Sequence, residues 1–166
     1  MKTAFIIIDV QNILVETGFE TEKLLEKIAY LQDQARKQQI EIIYMQHIET
    51  PEALTSEDWQ LSPLLKRQEN EKVFQKRYNS MFKETGLKEY LDQQGIEQLV
   101  LCGMQTEYCV DTSVKVGFEY GYKLVIPEGV VTTFDGEDIP AETLNEFYEN
   151  IWAERFADVL DYKSIF

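Results

Sequence analysis

Three side chains in this 166-residue sequence have the types and settings that nucleophilic chemistry requires: Asp9, Lys76 and Cys109. Cys109 closes the stretch Leu99–Val110, LVLCGMQTEYCV. The run Leu99-Val100-Leu101-Cys102 reads as a fully buried strand, which Gly103 is expected to break. Beyond it, Val110, Val114 and Phe118 recur at helical spacing. Cys109 is thereby placed where a strand-to-helix turn enters a helix. Unpaired N–H groups and the positive dipole end gather there and favour a thiolate. The alternative is a small buried hydrophobe, a common fate of free cysteine.

A nucleophilic thiol needs a base, a group that holds the geometry, and donors for an oxyanion. Asp9 follows the apolar run Ala4-Phe5-Ile6-Ile7-Ile8, so partial desolvation raises its pKa toward useful base strength. A neighbouring lysine pulls it back down and orients it. Lys76, directly after the short strand expected at Val73–Gln75, can fill that role. Taken singly, Asp9 could be a strand-end turn residue and Lys76 a solvated amine. Their convergence on one site is what points to catalysis.

The elements that would bring them together follow from the apolar pattern. Strands are expected at Lys2–Val10, Ile40–Gln46, Val73–Gln75, Leu99–Cys102, Tyr122–Ile126 and Phe156–Leu160. A helix capped by Thr21 carries Leu24, Leu25, Ile28, Leu31 and Ala35 on one stripe. Further helices are expected at Thr85–Gln94, ended by Gly95, after Cys109 as far as Gly121, and at Pro140–Trp152 with proline first. His47–Glu71 reads as a long irregular loop with one helical turn, a length that suits a lid or binding segment. The alternation implies a single three-layer α/β/α Rossmann-like domain with a six-stranded parallel sheet, order 3-2-1-4-5-6. In that order strands 1 and 4 are neighbours, and ligands bind beyond their carboxyl ends. Asp9 and Cys109 lie there.

Composition narrows the function classes. The net charge is −14, from 30 acidic and 16 basic residues, which argues against nucleic acid or an anionic membrane as partner. No run approaches the ~18 apolar residues of a membrane span, and the N-terminal region does not read as a signal peptide. Cys102 and Cys109 match neither CxxC nor a zinc spacing, so a reducing cytoplasm is the expected setting. His47 is the single histidine, which excludes a two-histidine metal site; no metal and no cofactor is expected.

The segments AFIIIDVQN at 4–12, VFQKRYNSMF at 73–82 and GIEQLVLCGMQTEYCV at 95–110, followed by GY at 121–122, together resemble the isochorismatase-like cysteine hydrolase superfamily. That group includes nicotinamidases, N-carbamoylsarcosine amidase and related amide and ureide hydrolases. The likeness covers most of the first 130 residues. It implies Asp9 as general base, Lys76 as third triad member and Cys109 as nucleophile, hydrolysing a C–N bond of a small amide or ureide through a thioester. It also implies a non-proline cis peptide between Met104 and Gln105, and an oxyanion hole from the backbone N–H groups of Gln105 and Cys109.

Departures from the family pattern matter equally. Nicotinamidases hold a metal with an Asp-x-His pair and a further histidine, whereas this chain has Gln46-His47-Ile48-Glu49 and no second histidine. Isochorismatases proper need no cysteine nucleophile. The wording QTEYCVDT looks most like small metal-free cysteine hydrolases, some similar to streptothricin hydrolase. Gln11, Gln46, His47, Tyr78, Phe82, Met104 and Tyr108 sit in or beside the motifs and are candidate substrate contacts, with core packing the alternative for the aromatics. Glu107 reads as a helix N-terminal acid. The resemblance, with the aromatic segments FEYGY and FYENIW, implies a homo-oligomer, a dimer or larger. Competing classes are a non-catalytic binding or assembly protein that keeps the fold, and thiol redox chemistry with Cys102 as resolving partner.

Overall fold

The computed structural model describes residues 1–166. Its strands are β1 (Thr3–Ile8), β2 (Glu41–His47), β3 (Lys72–Lys76), β4 (Gln98–Met104), β5 (Lys123–Pro127), β6 (Val131–Thr132) and β7 (Asp158–Leu160). The helices are α1 (Asn12–Thr17), α2 (Thr21–Lys37), α3 (Leu87–Gln93), α4 (Asp111–Glu119) and α5 (Ala141–Arg155). Every strand pairing is parallel, in the order β3-β2-β1-β4-β5-β7. The six strands read from the sequence therefore lie in the expected 3-2-1-4-5-6 order. The addition is β6, a two-residue strand pairing with β4, too short to leave a periodic signal.

Alternation along β1 divides the core. Ala4, Ile6 and Ile8 face one cluster with Leu91, Val114 and Trp152 from α3, α4 and α5. Phe5 and Ile7 face the other, with Leu24, Ile28, Leu31 and Ala35 from α2. A strand covered on both sides has no polar face, which is why β1 reads as an unbroken apolar run. Cys102 belongs to the α2 side and Cys109 to the opposite side, so the sheet separates the two thiols.

Several boundaries differ from expectation for local reasons. Gly103 does not break β4, which continues to Met104. Gly103 adopts φ +122° beside Ile8, and a Cβ there would lie 2.1 Å from the Ile8 carbonyl oxygen. The residue is needed for close strand approach rather than for a turn. Thr21 does not cap α2: Glu20 precedes the helix in a left-handed conformation, and the Thr21 hydroxyl donates to the Val15 carbonyl at 2.7 Å. Pro140 precedes α5 rather than opening it. Phe118 is 43% exposed and packs edge-on against Phe156, so it leaves the stripe formed by the buried Val110 and Val114. The short helix α1 lies between β1 and α2, where the apolar pattern marks no helix.

The 47–71 segment contains three 3₁₀ turns, Pro51–Thr55, Glu57–Trp59 and Pro63–Leu65, where one turn was expected. It is pinned in the middle by Gln11, whose side-chain amide donates to the carbonyls of His47 (3.0 Å) and Trp59 (2.7 Å). Its end is pinned by the buried Glu71, which accepts from Arg36 and from the Tyr44 hydroxyl at 2.8 Å. No helix is long and apolar enough to cross a membrane. Because the β1–β4 approach leaves no space at Gly103, Gly103→Ala should destabilise the fold by about 3 kcal/mol. Thermal unfolding checks this, and an unchanged midpoint would contradict it.

Candidate active site

Asp9 directly follows β1 in a left-handed conformation, φ +51°, a region that aspartate enters more readily than most residues. Its N–H donates to the Met45 carbonyl at 3.1 Å, tying the turn to β2. Lys76 is the last residue of β3, and strand register pairs it with His47 at the end of β2. Parallel partners present side chains to the same face, so Lys76 and His47 reach the same space above the sheet. Cys109 arrives from β4 through a wide turn. The Val110 N–H bonds the Gln105 carbonyl five residues back, a π-type geometry common at functional sites. Thr106 and Glu107 anchor this turn through Asn145 and Thr133, and Trp152 of α5 donates to Asp111 at 2.9 Å.

The result is a compact constellation around one ammonium group. Lys76 Nζ lies 2.9 Å from Asp9 Oδ2, 2.9 Å from the Tyr78 carbonyl, 3.1 Å from His47 Nδ1 and 3.1 Å from Cys109 Sγ. The Lys76 and Asp9 side chains are 0% and 2% exposed. One carboxylate oxygen of Asp9 holds the lysine, while Oδ1 has no protein partner. The Gln105 N–H likewise donates to no protein acceptor, and the Met104–Gln105 peptide bond is cis.

Electrostatics correct one expectation. Burial raises the Asp9 pKa above its ordinary 3.8, and Lys76 opposes that rise. The thiol of Cys109, however, is not depressed by its helix-entry position. Burial first, and the Asp9 charge second, push it up to about 12. Lys76 acts against both but does not overcome them. Both groups are thus held toward their protonated forms by burial, with Lys76 opposing the shift at each. Burial alone also pushes the Cys102 thiol well upward.

The other sequence candidates fall into three groups. His47 belongs to the constellation, with Nδ1 toward Lys76 and Nε2 3.1 Å from a Glu49 carboxylate oxygen. Gln11 and Gln46 use their amides on backbone: Gln11 also accepts from the His47 N–H at 2.9 Å, and Gln46 donates to the Trp59 carbonyl at 2.9 Å. They position the 47–71 segment. Tyr78 and Tyr108 are exposed beside the site, with Lys83 Nζ 4.0 Å from the Tyr78 ring centre. Phe82 packs with Tyr120 and Tyr122 at ring distances of 5.1 and 6.0 Å, and Met104 is buried on the α2 side. Both are core residues where they stand.

Two participants were not singled out in the sequence. Asn79, whose Oδ1 lies 3.8 Å from Cys109 Sγ, sits inside the quoted VFQKRYNSMF segment, so its signal was present. Glu49 carries no local pattern that marks it.

Asp9, His47 and Cys109 present donor atoms within 4.8 Å of one another, the geometry a cation could use. The Lys76 ammonium stands among them, at 2.9 to 3.1 Å from each, and so occupies that position itself. A cleft of about 250 Å³ between α2 and α5, lined by Glu20, Lys23, Lys27, Glu142 and Glu149, contains none of these residues. A second cleft, of about 370 Å³, is lined by Lys76 together with Ile48, Pro51, Leu54 and Glu84, and so borders the constellation.

A family model described as the isochorismatase domain matches residues 3–163. The chain belongs to the isochorismatase family. The uncharacterized isochorismatase family protein YddQ of Bacillus subtilis is 29% identical over 155 residues, covering 86% of each chain. Streptothricin hydrolase of Streptomyces noursei is 28% identical over 83% of this chain, which spans 51% of that longer protein. The crystal structure of an isochorismatase from Pseudomonas putida KT2440 superposes with a TM-score of 0.91 at 29% identity, over 99% of this chain and 90% of the other. The fold is thus that of the isochorismatase-family hydrolases.

Within this isochorismatase-family site, Cys109 is partly reachable while Cys102 is fully enclosed. Iodoacetamide should label Cys109 well ahead of Cys102, at a rate that climbs as pH rises from 7 to 10, because the thiolate fraction of a high-pKa thiol grows about tenfold per unit. Peptide mass mapping reads this, and equal labelling of both thiols would contradict it.

Proposed function

We propose that this family member hydrolyses the C–N bond of a small amide or ureide through a covalent thioester on Cys109. The observation that carries the reading is the contact set of Lys76. One ammonium group touches both Asp9 Oδ2 and Cys109 Sγ, while Asp9 Oδ1 is left open to receive a proton. The similarity to a protein named streptothricin hydrolase supports a hydrolytic reaction. Tyr78 and Tyr108, exposed at the site, are the side chains we assign to substrate contact.

The steps of the proposed reaction use these groups in turn. Asp9 Oδ1 takes the Cys109 proton as sulfur bonds to the substrate carbonyl carbon, so no free thiolate has to persist in the buried site. The carbonyl electron pair moves to oxygen, and the backbone N–H groups of Gln105 and Cys109 stabilise that oxyanion. As the C–N bond breaks, the leaving nitrogen takes the proton from Asp9. Water, deprotonated by Asp9, then attacks the thioester, and the expelled sulfur recovers the proton. Lys76 keeps Asp9 oriented and offsets charge as it shifts between carboxylate and sulfur. The raised Asp9 pKa suits both halves, since a more basic carboxylate takes up a proton more readily than an ordinary one and can still return it.

Cys109→Ala should lower turnover by about 10³-fold or more on any active member of a panel of small amides, ureides and nicotinamide, while circular dichroism stays unchanged. For the unmodified chain, kcat/KM should fall on the acid side at a pH above the ordinary carboxylate value of 3.8, because Asp9 must be ionised to act as base and burial raises its pKa. A fully active Cys109→Ala variant would overturn the mechanism.

A further inference from the structure

Lys76 faces a shortage of protons. An ammonium group has three N–H donors, yet four acceptors surround it. The Asp9 carboxylate and the Tyr78 carbonyl are the nearest, both at 2.9 Å, and account for two. The third proton is contested between His47 Nδ1 and Cys109 Sγ, both at 3.1 Å. Lysine cannot accept, so His47 Nδ1 must carry its lone pair toward Nζ, and the ring proton then sits on Nε2. Glu49 Oε1 lies 3.1 Å from Nε2 and accepts that proton, which fixes the tautomer that competes for the lysine. The strand pairing of His47 with Lys76 makes the contact a fixed feature of the sheet.

We propose that His47, oriented by Glu49, is a positioning residue that sets the reactivity of Cys109 by competing with its sulfur for the third proton of Lys76. With His47 in place, the sulfur receives only part of one N–H bond and rests as a thiol whose proton is handed to Asp9. Without it, the lysine turns a full N–H toward sulfur and favours the thiolate. The charged and titratable groups around Cys109 are Asp9 from the end of β1 and Lys76 from the end of β3. His47 stands behind Lys76 from β2, with Glu49 behind it. The inference rests on the proposed function only in taking Cys109 as the nucleophile; the proton competition needs no substrate.

The test is therefore alkylation of the full-length protein by iodoacetamide across pH, monitored at the Cys109 peptide. His47→Leu removes the acceptor and should move the midpoint down by about one pH unit, making Cys109 about tenfold faster near neutrality. In His47→Asn, the side-chain oxygen can take the place of Nδ1, and the profile should stay close to that of the unmodified chain. A merely structural role for His47 would not separate these two variants in this way. If His47→Leu does not fold, Glu49→Ala, which frees the ring, should give a smaller shift in the same direction. An unchanged or upward midpoint in the variant lacking the acceptor, or an equal shift in His47→Asn, would overturn the proposal. Failure of the amide panel with the downward shift intact would instead count against the proposed reaction alone.

Discussion

The buried ion pair between Lys76 and Asp9 is the interaction on which the rest of this site depends. Two charges at 2.9 Å, with side chains 0% and 2% exposed, are stable only if their remaining bonding capacity is met. The Tyr78 carbonyl, His47 Nδ1 and Cys109 Sγ meet it for the lysine, whereas Asp9 keeps one oxygen without a partner. That asymmetry is the chemical content of the arrangement. A carboxylate saturated with donors would be a poor base, and an isolated one would be neutral. Removing either partner of such a pair typically costs about 3–5 kcal/mol, so the residues that create the site also hold the sheet ends together.

Three backbone features place these groups. The left-handed turn at Asp9 stops β1 and swings the carboxylate over the sheet end. The close approach of β4 to β1 at Gly103 brings the two neighbouring strands to the same level before the chain turns away. The wide turn at Gln105–Val110 then returns Cys109 toward Lys76, with α5 bracing it through Asn145 and Trp152. Each departs from regular geometry, as expected where a fold is shaped for chemistry as well as stability.

Much of this was legible in the sequence, and the reasons are physical. Strands buried on both faces write continuous apolar runs, so β1, β2 and β4 were visible, and parallel crossover rules ordered them. Asp9 directly follows one such run, Cys109 lies in the turn after another, and Lys76 closes the short edge strand β3. What escaped depends on tertiary contact. Gly103 reads as a breaker until the Ile8 carbonyl is seen beside it. The helix-entry position of Cys109 suggested a thiolate, but burial and the Asp9 charge outweigh the local N–H groups. Gln11 and Gln46 looked like substrate ligands, whereas backbone carbonyls of the 47–71 segment claim their amides. Glu49 left no pattern at all, since its meaning comes from a histidine ring that a strand end holds against a lysine.

Burial raises the pKa of both Asp9 and Cys109, so in the proposed mechanism the proton passes between them as sulfur bonds to carbon. A thioester on Cys109 is the intermediate this proposed route requires. Acid quenching of a turning-over reaction within milliseconds, followed by peptide mass analysis, tests it most directly. The Cys109 peptide should gain the mass of the substrate acyl group and lose it on treatment with hydroxylamine. Rapid turnover with no such adduct, or an adduct on another residue, would contradict it.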